Sequence, residues 1–187
     1  TEIYTLSLHD ALPIFRNIST TTGDKGTTQN YSSETLKKTD LLFEALGAMD
    51  ELSIHLGLCY HYTQELDLMQ IQRILQTINS LLATNPKTDS SRYDKLKKVT
   101  EEDIAWLESL GETMIQKKPL EPRFVLPGSE STLPGAYVDV ARAVCRRCER
   151  QVIRFRDQAE REDLHKPLIF LNRCSDYLFL LARSFLE

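Results

Sequence analysis

An all-α fold, a five-helix bundle with ferritin-like up-and-down packing, is the architecture expected of these 187 residues. Five stretches carry apolar residues at helical spacing, turn-forming residues part them at distances suited to antiparallel neighbours, and no segment reads convincingly as a strand. With 41% hydrophobic residues, a chain of this length can bury one good core, so one domain is expected.

Residues 1–18 stand apart. They start at Thr1 without an initiator Met, lack the basic start and continuous apolar stretch of a signal peptide, and resemble a translated sequencing-adapter scar. This segment is expected to be non-native or disordered, with the helical domain occupying residues 19–187. From 20 to 38 the chain is rich in Gly, Thr, Ser and Asn, which compete for backbone hydrogen bonds and predict an ordered loop. Asp40 suits the N-cap of a first helix over about 40–62, with Leu42, Leu46, Met49, Leu52 and Leu56 at core spacing. Gly47, Asp50, Ser53, Ile54 and Gly57 form its small-residue side, where a neighbouring helix backbone can come close.

A second helix over about 66–83 buries Leu68, Ile71, Leu75, Ile78 and Leu82, and Pro86 ends it. Residues 85–98 are polar and charged and read as an exposed connection. Thr100-Glu-Glu-Asp103 has the form of a capping box opening a third helix, apolar at Ile104, Leu107, Leu110, Met114 and Ile115 and closed by Pro119 and Pro122. Residues 123–129 then read as an extended loop that pins Phe124 against the core or a ligand. A long arginine-bearing helix follows over about 136–161, and a last one over about 167–186 opens with Pro167, a residue suited to a first turn.

Arg142-Ala-Val-Cys-Arg146-Arg147-Cys-Glu149-Arg150 is the most informative stretch. At roughly 100° per residue, Arg142, Arg146, Glu149 and Arg150 share one flank, while Ala141, Val144, Cys145, Cys148, Val152 and Phe155 fill a separate apolar arc. The polar flank is either a solvated face or a grip for an anion. Guanidinium groups hold phosphate oxygens in pairs and keep their charge on partial burial. Glu149 is suited to orienting these arginines, or to contacting Mg²⁺ or a ribose hydroxyl. Asp50 is a candidate partner for Arg142. In Gly23-Asp24-Lys25-Gly26-Thr27-Thr28, glycines let backbone amides converge, Lys25 adds a cation and the threonines add hydroxyls, all suited to phosphate. It is not a Walker A loop, and an ordinary polar turn is the alternative. On the last helix Asn172, Asp176 and Arg183 align among apolar neighbours, a stripe to be satisfied by a partner helix, a ligand or a second subunit.

Other chemistries fit poorly. A net charge of -4 argues against a general nucleic-acid binder. No apolar run reaches the roughly 20 residues of a membrane span. Cys59, Cys145, Cys148 and Cys174 fall within predicted helices and read as buried reduced thiols of a cytoplasmic protein. Only Glu162-Asp-Leu-His165 has di-iron spacing, and it lies just before Pro167. No Ser/His/Asp or Cys/His arrangement supports hydrolysis.

Taken in order, Thr20-Thr-Thr-Gly-Asp-Lys-Gly-Thr-Thr28, Glu44-Ala-Leu-Gly-Ala-Met-Asp-Glu-Leu52, Phe124-Val-Leu-Pro-Gly128, Ala141-Arg-Ala-Val-Cys-Arg-Arg-Cys-Glu-Arg150 and Leu171-Asn-Arg-Cys-Ser-Asp-Tyr-Leu-Phe179 resemble the PduO-type ATP:cob(I)alamin adenosyltransferases over about residues 19–185. The resemblance implies a homotrimeric five-helix bundle with active sites between subunits. It also implies ATP with Mg²⁺ and reduced cobalamin as reactants, and a corrinoid reductase as a further partner. It places the ATP loop on Thr22, Gly23, Asp24, Lys25, Gly26 and Thr28. Arg146 becomes the nucleotide-binding arginine, Glu149, Asn172 and Arg142 line the same site, and Arg142 also forms with Asp50 an intersubunit ion pair near ATP. Phe124 falls under the corrin, where it helps to exclude a lower axial ligand. Lys25, Arg146 and Phe124 are thus the implied catalytic residues. The chain departs from the family's usual residues at Asp139 (His), Ser129 (Gly) and Cys148 (Ala). A cofactor-delivering chaperone and a bundle whose arginines merely face water are the competing classes.

Overall fold

A computed structural model describes residues 19, 21–120, 125–128 and 132–186. The segment 1–18, Phe124 and Ser129 lie outside the described residues. Six α-helices are described: α1 (Leu41–Thr63), α2 (Leu66–Ala83), α3 (Ser90–Lys95), α4 (Glu101–Lys117), α5 (Leu133–Ala159) and α6 (His165–Ser184), with a 3-10 turn at Glu162–Leu164 before α6. The five long helices are those expected from the periodicity. Their main contacts run α2 on α1, α1 on α5, α5 on α6 and α6 on α4, a row with α5 at its centre.

The caps follow sequence chemistry. Asp40 accepts from the Leu42 amide at 2.9 Å and opens α1. Thr100 and Asp103 form a reciprocal capping box on α4, with Asp103 N to Thr100 Oγ1 at 3.2 Å and Thr100 N to Asp103 Oδ2 at 2.9 Å. α5 starts three residues before its expected start, because Pro134 fits its first turn, where an amide hydrogen has no helical partner. α6 starts at His165, which leaves Pro167 in the first turn.

Two further differences bear on the site. The loop expected over 20–38 contains a short antiparallel hairpin, β1 (Thr27–Gln29) with β2 (Thr35–Lys37), in which Thr28 pairs with Leu36. The connection over 85–98 carries α3, and Tyr93 and the following Val99 are buried, so this segment is anchored rather than merely solvated.

The core joins Met49, Leu52 and Leu56 of α1 to Leu68, Ile71, Leu75 and Ile78 of α2 and to Phe170, Leu171 and Leu178 of α6. All six residues of the expected apolar arc of α5, from Ala141 to Phe155, are buried. Each fully buried aliphatic side chain contributes roughly 1.5–3 kcal/mol from removal of apolar surface from water. This packing fixes which flank of α5 remains available for polar work.

Candidate active site

The hairpin presents the glycine loop. Gly26 has φ +80°, a conformation that favours glycine because a Cβ there is strained, and its carbonyl accepts from Lys38 N at 2.9 Å. Thr22, Asp24 and Lys25 are exposed, Gly23 is half-buried, and Thr28 sits half-buried in β1. The loop gains a second cation that the sequence reading missed. A Cβ built on Gly23 would lie 2.9 Å from Lys38 Nζ, so the ammonium hangs beside the glycine. The signal was the strand pairing: Thr27 lies opposite Lys37, which carries the next residue to the mouth of the loop.

Glu34 holds the hairpin on the bundle. Its carboxylate accepts from Thr88 Oγ1 at 2.7 Å, Asn30 Nδ2 at 2.6 Å and Asn85 Nδ2 at 2.9 Å. The Thr88 bond, helped by those of Asn30 and Asn85, outweighs the cost of burial and holds the carboxyl below its ordinary range. Tyr31 N also donates to Ala83 O at 3.0 Å, and Arg92 of α3 donates to Tyr31 O. The hairpin thus sits at the end of the bundle where α2 and α5 finish, around a cavity of about 430 Å³ lined by Glu34, Leu36, Asn85, Phe155 and Arg161.

The arginine flank lies elsewhere. Arg146 is nine residues before Phe155, roughly 13 Å along the axis of α5 at 1.5 Å per residue. It is exposed, and among the described residues no hydrogen bond or ion pair engages its guanidinium; its backbone oxygen accepts from Arg150 Nη1 at 3.0 Å. Beside it, Asn172 Nδ2 of α6 donates to Glu149 Oε1 at 3.2 Å, joining two residues expected at one site. Arg173 turns the amide by donating to Asn172 Oδ1 at 2.7 Å, and is itself paired with Glu108 of α4. The anticipated stripe of Asn172, Asp176 and Arg183 splits, since Asp176 is exposed while Arg183 is buried.

Asp50 and Arg142 do not pair within the chain. Asp50 is exposed, and Arg142 Nε instead donates to Asp139 Oδ1 at 2.6 Å. Asp139 is the second functional candidate missed, although its i, i+3 spacing to Arg142 was available in the sequence. The small-residue side of α1 does not receive a helix backbone at Gly47, where a Cβ would meet nothing within 4 Å; at Gly57 it would meet Gln72 Nε2 at 3.3 Å.

The cysteines are structural. All four are free and buried, and Cys145 Sγ donates to Leu171 O at 3.3 Å. The Cys174 hydrogen bond and then burial push the Cys145 thiol well up, burial raises Cys148, and burial takes Cys59 to about 11. Protonated thiols of this kind are poor nucleophiles and poor metal ligands. A second cavity of about 300 Å³ opens between α4 and α6, lined by Met114, Val125, Phe179, Leu180 and Arg183. Val125 directly follows Phe124, the residue expected to touch a ligand.

Comparison with known proteins places these features in a family. The cobalamin adenosyltransferase family model matches residues 18–185. The chain belongs to that family. It is 37% identical over 174 residues to a corrinoid adenosyltransferase of Citrobacter freundii, covering 89% of this chain and 93% of that protein. It is 38% identical over 180 residues to the corrinoid adenosyltransferase of Bos taurus, covering 91% of this chain and 72% of the other. In structure it is similar to a variant PduO-type ATP:corrinoid adenosyltransferase from Lactobacillus reuteri complexed with cobalamin and ATP, with a TM-score of 0.76, 34% identity, and coverage of 89% and 91% of the two chains. The helical bundle expected from the sequence is therefore the fold of this family.

Proposed function

We propose that this protein transfers the 5′-deoxyadenosyl group of ATP to the cobalt of cob(I)alamin, giving adenosylcobalamin and triphosphate. The observation that carries the reading is the open guanidinium of Arg146 beside the Glu149–Asn172 pair, a polar site built on the rigid centre of the bundle. In the transfer, the Co(I) electron pair forms the Co–C5′ bond while the C5′–O bond breaks, and its electrons leave on triphosphate. Arg146 and Lys25, with Lys38 near by, would meet the negative charge that develops there. Glu149 and Asn172 orient the nucleoside end. No general base is needed, because the nucleophile carries no proton to remove.

Mg²⁺ would arrive with ATP. Its ligands would be mainly phosphate oxygens and water. Glu149 is the side chain suited to a water-mediated contact with it. The corrinoid would lie over the cavity near Val125 and Phe179; about 300 Å³ accommodates only part of so large a molecule, so its remainder must extend past the mouth. Phe124 would press on the face of the corrin and help to exclude a lower axial ligand. A corrinoid reductase would supply the electron that takes Co(II) to Co(I).

The assembly is a homotrimer in this reading, with each site shared by two subunits. The outward face of α1 and α5 supports it: Ile54 is 72% exposed, Leu58, Tyr62 and Val140 are also exposed, Tyr62 stacks on Tyr137 at 4.8 Å, and Arg147 is paired with Glu51. Such apolar residues gathered on one face suit a subunit contact. Exposed Asp50 would there compete for Arg142, and the glycine loop of one subunit would reach Arg146 of the next. Among the described residues no helix is long and apolar enough to cross a membrane, and buried reduced thiols suit the cytoplasm. The test is anaerobic incubation of chemically reduced cobalamin with MgATP. Adenosylcobalamin and triphosphate in equal amounts are expected; release of ADP and phosphate without a Co–C product would exclude the reaction.

A further inference from the structure

Asp139 occupies a position that none of the proposed roles uses, yet it is one of the few charged side chains buried in the bundle, at 4% exposure. Its carboxylate collects donors from three parts of the fold. Oδ1 accepts from Arg142 Nε at 2.6 Å on its own helix. Oδ2 accepts from Gly128 N at 2.9 Å, at the end of the 125–128 segment. Oδ2 also faces Arg183 Nη2 of α6 at 3.4 Å.

These three donors border both halves of the proposed site. Val125 and Arg183 line the 300 Å³ cavity, and the Arg183 guanidinium lies 5.3 Å from the centre of the Phe179 ring, another lining residue. Arg142 lies one turn before Arg146 on α5. Holding the buried guanidinium of Arg183 near the half-buried one of Arg142 is unfavourable without an anion between them, and a charge-assisted hydrogen bond to a backbone amide is stronger and more directional than a neutral one. Gly128 has φ +74°, so the segment turns sharply at the residue whose amide is held.

We propose that Asp139 is a positioning residue for the corrinoid half of the site, its charge fastening the 125–128 segment and Arg183 to α5 so that the cavity wall is formed before the corrinoid arrives. This rests on the adenosyltransferase reading. It bears more on the corrinoid than on the nucleotide: Asp139 bonds Gly128 and faces Arg183 at the cavity wall, whereas of the nucleotide flank it bonds only Arg142, and among the described residues no hydrogen bond or ion pair joins it to Lys25, Lys38, Arg146, Glu149 or Asn172.

The experiment compares Asp139→Asn, Asp139→Glu and Gly128→Ala with the parent, measuring corrinoid KM, kcat and, by calorimetry, the Kd of MgATP. Asp139→Asn keeps an oxygen acceptor and removes the charge, so corrinoid KM should rise about tenfold while the ATP Kd stays within about twofold. Asp139→Glu should recover part of that loss. Gly128→Ala strains the held turn without filling any packed space, since a Cβ there meets nothing within 4 Å; it should reproduce the KM effect and keeps the test decisive if Asp139→Asn fails to fold. Corrinoid KM within twofold of the parent in Gly128→Ala and in folded Asp139→Asn, or an ATP Kd that weakens in step with it, would overturn the proposal. A parent that binds both substrates and forms no Co–C bond would instead overturn the adenosyltransferase reading, and this inference with it.

Discussion

Replacing Arg146 with alanine separates a functional guanidinium from a structural one. Arg146 is exposed, and its guanidinium has no hydrogen-bond or ion-pair partner among the described residues. A surface truncation of this kind should alter stability by no more than about 0.5 kcal/mol. If the guanidinium grips triphosphate, its removal deletes two charge-assisted hydrogen bonds, each worth about 1.5–3 kcal/mol, from a group whose charge grows in the transition state. Allowing for incomplete additivity and competition from solvent, about 3 kcal/mol is lost, or roughly a hundredfold in kcat/KM. The assay follows adenosylcobalamin by its absorbance in anaerobic cuvettes, alongside thermal unfolding of the same preparations. Arg146→Lys should fall between parent and alanine because it keeps charge without the planar fork. Arg154→Ala, two turns further along the same helix and also exposed, should stay within about twofold of the parent, as expected for an ordinary surface site. A loss under threefold in Arg146→Ala would refute the assignment of this face to the nucleotide.

The subunit contact, the hairpin anchor and a cap give further tests. Ile54→Arg places a charge on the exposed α1 face and should convert the proposed trimer to monomers by light scattering, with loss of activity and little change in helix content; an assembly unaltered by the change would remove this face from the interface. Because hydrogen bonds lower the folded-state pKa of Glu34, its contribution is present above the unfolded value of about 4.3 and is lost as pH falls through the lower folded value. Amides at Tyr31 and in β2 should therefore lose protection, measured against their intrinsic exchange rates, in acid before the core does, and Glu34→Gln should make that protection less dependent on pH. Thr100→Ala breaks the α4 capping box and should cost about 1 kcal/mol, a fall of roughly 2–4 °C in Tm for a chain of this size; an unchanged Tm would mean that water replaces the cap fully.

The long helices were legible because burial obeys their period. Ala141, Val144, Cys145, Cys148, Val152 and Phe155 recur on one arc, and packing against α1 and α6 buries them all. The hairpin was not legible, since three-residue strands are too short for alternation to emerge, and its register depends on anchors as distant as Asn85 and Thr88. Residues 85–98 looked solvated because their composition is polar; two apolar anchors, Tyr93 and the adjoining Val99, set their course. At the site, Glu149 and Asn172 were expected together and are joined. Lys38 was missed because only strand pairing brings it to Gly23. Asp139 was half legible: its contact with Arg142 lies within one helical turn, whereas that with Arg183 crosses between helices and needs the fold itself.

The proposed trimer with shared sites is tested most directly by mixing subunits. Lys25→Ala and Arg146→Ala trimers should each form adenosylcobalamin at a small fraction of the parent rate. In trimers reassembled from equal amounts of both, about one interface in four joins an intact loop to an intact arginine helix. Activity should then rise to about a quarter of the parent value, whereas a mixture no more active than its two components would contradict a site built across the subunit boundary.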